Sequence, residues 1–98
     1  MFLHVIRAEY IADYRIWLRF NDGREGEVNL EHELWGEVFE PLRNKRLFAK
    51  VHLNKETKTI VWENGADFAP EFLHELLEPV YQAEATSQPS RLAPALAG

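Results

Sequence analysis

Hydrophobic and polar positions alternate most cleanly between Tyr14 and Phe20. Tyr14, Ile16, Leu18 and Phe20 share one face of an extended chain, and Arg15, Trp17 and Arg19 share the other. A period of two predicts a half-buried strand. Asn21-Asp22-Gly23 follows as a turn, because Asn and Asp tolerate left-handed geometry and Gly adopts it without penalty. Arg24 to Leu30 returns as the partner strand, in which Gly26 is expected to mark a bulge or a close backbone approach. Leu3 to Glu9 reads as a strand preceding this hairpin. After Leu30 the alternation stops. Glu31 to Trp35 is expected to form one or two helical turns ending at Gly36, with a break near Glu40 imposed by Pro41. Leu42 to Phe48 reads as a short helix or turn, with Leu42, Leu47 and Phe48 plugging the core around Arg43-Asn44-Lys45-Arg46. Val51–Asn54 and Thr59–Trp62 form a second hairpin across Lys55-Glu56-Thr57-Lys58. The period then becomes helical. Ala69, Phe72, Leu73, Leu76 and Leu77 make one apolar stripe, with Glu71, His74 and Glu75 facing water. Pro70 suits the first helical position, Glu71 suits the positive end of the helix dipole, and Pro79 stops the helix. The order predicts an α+β fold: a small antiparallel sheet built from two hairpins plus an N-terminal strand, short helical segments and a C-terminal helix.

Composition adds boundaries to this picture. Ninety-eight residues, 46% hydrophobic and 28% charged, make one globular domain with a modest core. From Gln82 the chain reads QAEATSQPSRLAPALAG, in which Glu84 and Arg91 are the only charges. That stretch lacks the large apolar side chains that offset the entropy of ordering. The expected division is therefore a domain over 1–81 and a flexible tail over 82–98, where Leu92 and Leu96 are spaced to dock if the tail turns helical. No apolar run is long enough to span a bilayer, and MFLHVIRAEY lacks the features of a signal peptide. There is no cysteine, which excludes disulfides, thiolate metal sites and cysteine nucleophiles and makes a cytoplasmic setting the expectation. The net charge of −5 argues against bulk nucleic-acid binding while leaving room for a local basic patch.

Candidate chemistry is sparse. His4, His32, His52 and His74 fall in no HxH, HxxxH or HExxH spacing, so no metal site is expected. The glycines form no phosphate-binding pattern. Asp67, just before the last helix, is expected to accept backbone N–H groups there, as acids near helix starts do. A catalytic role for it would need a partner base or an oxyanion donor set, and none is legible. Arg15 and Arg19 flank Trp17 on one strand face, an arrangement able to stack a base and touch phosphates. Glu25, Glu27, Glu31 and Glu33 follow closely enough to pair with those arginines instead. Trp17, an aromatic on an outward face, calls for cover by this chain, a second subunit or a partner.

The segment Thr59-Ile60-Val61-Trp62-Glu63-Asn64-Gly65-Ala66-Asp67-Phe68-Ala69-Pro70-Glu71 resembles the signature of a bacterial family known as domain of unknown function 2442. Phe20-Asn21-Asp22-Gly23, Val28-Asn29-Leu30, Phe39-Glu40-Pro41-Leu42 and Leu47-Phe48-Ala49-Lys50-Val51 agree with it, so the resemblance covers residues 3 to 78. One departure is Phe72-Leu73-His74, where relatives often carry Leu-Tyr. The resemblance implies a small α+β domain without established catalytic residues or cofactor. Some relatives carry a helix-turn-helix after the module; others are encoded beside a second small protein in an arrangement that looks like a toxin–antitoxin pair. The expectation is thus a bacterial, non-enzymatic interaction or regulatory module, with a protein partner encoded nearby or a second copy of itself, no cofactor and no membrane. The expected partner surface is Arg15, Trp17 and Arg19, with Trp35 and Phe39 as further candidates. Trp62, Asn64, Gly65, Asp67 and Pro70 are assigned to structure, fixing the last helix against the sheet. A nucleic-acid-binding regulator using the Arg15/Trp17/Arg19 face is the alternative.

Overall fold

Ile16, Leu18 and Phe20 are fully buried in the computed structural model, which describes residues 2–78. The expectations for Pro79 and for the tail 82–98 lie outside the described residues. The alternation of Tyr14–Phe20 becomes β2 (Arg15–Phe20), the centre of a three-stranded antiparallel sheet between β1 (Val5–Ala12) and β3 (Glu25–Asn29). Period-two patterning pins the register, since a slip by one residue would turn Ile16, Leu18 and Phe20 out to water. Trp17 lies opposite Glu9 on one side and Glu27 on the other, and Arg19 lies opposite Glu25. Gly26 pairs in register with Leu18, so the expected bulge is not there.

The first strand and the sheet each differ from expectation in one feature. β1 extends to Ala12 and turns directly into β2 through Asp13, which adopts a left-handed φ of 49°. Aspartate is among the few residues that reach this region routinely. The first three strands are therefore two consecutive hairpins. The sheet is also split. β4 (His52–Asn54) and β5 (Thr59–Val61) form a separate two-stranded sheet, tied to the first by the Val5 N–H donating to the Lys58 carbonyl at 2.9 Å.

Between the sheets the chain is built of short pieces. Glu31–Glu33 is a single 3-10 turn, and Glu40–Arg43 a second, opened by Pro41. α1 (Lys45–Phe48) begins at Asn44, whose Oδ1 accepts from the Arg46 and Leu47 N–H groups. Leu42 and Phe48 enter the core as expected, but Leu47 points outward, because a helix of one turn cannot aim consecutive side chains at one face. α2 (Pro70–Leu76) buries Leu73 completely and rests Phe72 and Leu76 on the core. The core lies where these elements converge, with Phe20, Leu34, Phe48, Ile60, Trp62 and Leu73 among its members.

Candidate functional site

The outward face of the three-stranded sheet carries Arg15, Trp17 and Arg19, and each finds cover within the chain. Arg15 Nε bonds Glu27 Oε1 at 3.0 Å, and its Nη2 pairs with Glu78 Oε1. The hydrogen bond that Arg15 donates to Glu27, then the charge of Glu78, raises the guanidinium pKa above its ordinary value. Arg19 Nε lies 3.5 Å from Glu25 Oε1. The Arg7 guanidinium sits 5.6 Å from the Trp17 ring centre, a cation–π contact that leaves the indole half-buried. Arg7 in turn bonds Glu9 Oε2 at 3.2 Å. Glu25 and Glu27 thus pair as expected, whereas Glu31 and Glu33 do not; the second carboxylate on Arg15 comes from Glu78, beyond α2. The face is a self-neutralising ladder of ions.

Trp35 and Phe39 lie elsewhere. Leu34 is buried, and Gly36, at φ 89°, turns the chain so that Trp35 projects with 69% of its surface exposed. Phe39 stacks on Phe68 at 4.7 Å between ring centres, and Phe68 stacks on Phe72 at 5.6 Å. Together with Trp35 this row lines a groove of about 390 Å³, near the lower end of ligand-pocket sizes, with Glu33 and Asp67 also in its lining. Phe68 and Phe72 were not among the residues assigned to a surface. Their four-residue spacing across Pro70 was the available signal, but Phe72 also fits the apolar stripe of α2, and periodicity cannot divide one ring between core and groove.

The turn Trp62–Asp67 stands beside this groove. Trp62 is 3% exposed, and its Nε1–H donates to the Phe48 carbonyl at 2.9 Å. Asn64 holds the turn twice, Oδ1 accepting from the Ala66 N–H and Nδ2 donating to the Val38 carbonyl at 2.9 Å. Gly65 has φ 92°, a conformation that L side chains rarely adopt. The role expected of Asp67 thus belongs to Asn64. Among the described residues the Asp67 carboxylate accepts no backbone N–H; its backbone bridges Val61, the residue lines the groove, and the Ala69 cap of α2 has no side-chain bond. Pro70 takes the first turn of α2. On the other side of the turn, Trp62, Glu63 and Asn64 join Pro41, Leu47 and Lys50 around a second hollow of about 370 Å³.

The histidines do not converge. His74 Nε2 lies 2.9 Å from Asp22 Oδ2 and its ring packs edge-on to Phe20, tying α2 to the β2–β3 turn. Among the described residues no group of three or more His, Asp or Glu side chains is placed to hold a metal ion, and no helix is long and apolar enough to cross a membrane.

Fold and surfaces together define a small α+β domain with a paired ionic sheet face and an open aromatic groove beside its last helix. Residues 5–78 match the family described as "Protein of unknown function (DUF2442)", and the chain belongs to that family. No curated protein and no solved structure matches it.

Proposed function

We propose that this chain is a non-catalytic protein-interaction module of the cytoplasm that docks a partner across the groove of Trp35, Phe39, Phe68 and Phe72. In this reading it is the neutralising or regulatory half of a two-protein system, and the partner is the product of an adjacent gene. The observation that carries the reading is the exposure of Trp35 above a row of stacked rings. A tryptophan kept in water at the lip of an apolar groove is the kind of anchor that interfaces bury at their centres. The arginines of the sheet face are engaged with Glu25, Glu27 and Glu78, which favours a protein partner at the groove over a nucleic acid at the sheet.

Co-expression of the tagged chain with the product of the neighbouring gene tests this. A stable complex is expected for the unaltered chain, and Trp35→Ala is expected to lose it while keeping its circular dichroism. Recovery of the chain alone, or a complex indifferent to Trp35→Ala, overturns the proposal.

A further inference from the structure

The groove's charge points to the chemistry of its occupant. Glu33 and Asp67 line the groove, and neither forms an ion pair among the described residues, in contrast to Glu25, Glu27 and Glu78 on the sheet. The two segments that build the groove and its surroundings, 31–40 and 63–72, hold seven of the chain's sixteen acids and neither Lys nor Arg. Six of the eleven basic residues fall between Arg43 and Lys58, and of these Arg43 meets the first segment, its Nε donating to the Leu34 carbonyl at 2.9 Å. The groove's own lining holds two acids and no basic residue; such a trough favours ligands of the opposite sign, and its charged side chains select among apolar partners.

We infer that the groove takes a cationic amphipathic segment of a protein partner. An aliphatic or aromatic side chain of that segment lies along the edges of Phe39, Phe68 and Phe72 under Trp35, and flanking Lys or Arg side chains meet Glu33 and Asp67. This rests on the groove being the docking surface and adds the class of sequence that it accepts. The burial supplies affinity; the carboxylates supply discrimination.

Calorimetry with two short synthetic peptides tests the inference on the full chain. Both carry leucines one helical turn apart; lysines flank them in one and glutamates in the other. The lysine peptide is expected to bind about tenfold more tightly at low salt, with the gap closing as salt screens the two carboxylates. Glu33→Lys combined with Asp67→Lys is expected to reverse the order, and Trp35→Ala to weaken both peptides. All three positions are exposed or half-buried, so the variants are expected to fold, and circular dichroism checks this. Equal binding of the two peptides, no binding of either, or a preference untouched by the double reversal overturns the inference. Self-association abolished by Trp35→Ala, seen by sedimentation, overturns it as well, because the occupant is then a second copy. If the co-expressed partner still requires Trp35 while the peptides show no charge preference, this inference fails and the proposed function stands.

Discussion

At the scale of single residues, Trp62 does more for this fold than its position in the family signature discloses. Its ring packs with Phe48 and Phe68, and its N–H meets the Phe48 carbonyl, so one side chain joins α1 to β5 and the turn before α2. Trp62→Ala is expected to cost about 3–5 kcal/mol, and Trp62→Phe about 1–3 kcal/mol through the smaller ring and the lost hydrogen bond. Urea unfolding followed by circular dichroism measures both. Asp22 gives a prediction of a different kind. The Arg24 N–H, then His74, hold its carboxyl below the ordinary aspartate value of 3.8. A carboxyl depressed on folding adds stability above its unfolded pKa and loses it as pH falls through the folded one. Asp22→Asn is therefore expected to be less stable than the unaltered chain at neutral pH. The two are expected to converge in acid, below the 3.8 at which an unperturbed aspartate titrates. Unfolding midpoints across that range check the sign.

At the scale of elements, the asparagines carry what short helices and turns cannot supply for themselves. Asn44 caps a helix of one turn, and Asn54 Oδ1 accepts from the Glu56 and Thr57 N–H groups in the β4–β5 turn. Asn44→Ala is expected to cost about 1 kcal/mol. Amide hydrogen exchange at Arg46 and Leu47 should quicken more than in β2. Elements with a long, clean period were legible before any coordinates: β2 from its alternation, α2 from its stripe and its leading proline, and the β2–β3 turn from Asn-Asp-Gly. The β4–β5 hairpin was legible as well, as two short apolar runs around Lys55–Lys58, although its turn closes through Lys58 at φ 61°. The β1–β2 turn was not, because it has no glycine and depends on Asp13 in a left-handed conformation. Leu47 and Phe72 show the same limit at the site, since apolar identity alone does not say which of two neighbours reaches the interior. The candidate surface was legible in pieces. Trp35 and Phe39 stood out as unplaced aromatics, but their meeting with Phe68, Phe72, Glu33 and Asp67 comes from long-range packing that no local pattern records.

At the scale of the whole molecule, the ion pairs and the groove divide its surface into two kinds. On the sheet, Arg7, Arg15 and Arg19 are matched by Glu9, Glu25, Glu27 and Glu78, leaving no concentration of unmatched positive charge for a phosphate backbone. The sheet face is therefore expected to contribute nothing to DNA binding, so that Arg15→Ala with Arg19→Ala leaves the mobility of a DNA fragment unchanged even at low salt; a shift removed by that pair of substitutions would restore the nucleic-acid reading of this face. Around the groove, an apolar side chain already in water gives up little when removed. Trp35→Ala is expected to alter stability by no more than about 0.5 kcal/mol while abolishing partner capture. Loss of stability on the scale of the Trp62 variants would instead make Trp35 part of the fold.

The three tryptophans occupy three different surroundings: Trp62 enclosed, Trp17 sheltered under a guanidinium, and Trp35 in water. Their intrinsic emission is consequently separable, with the reddest and most readily quenched component belonging to Trp35. The molecule carries its own optical reporter, and an occupant seated over that indole announces itself by a blue shift without any added dye.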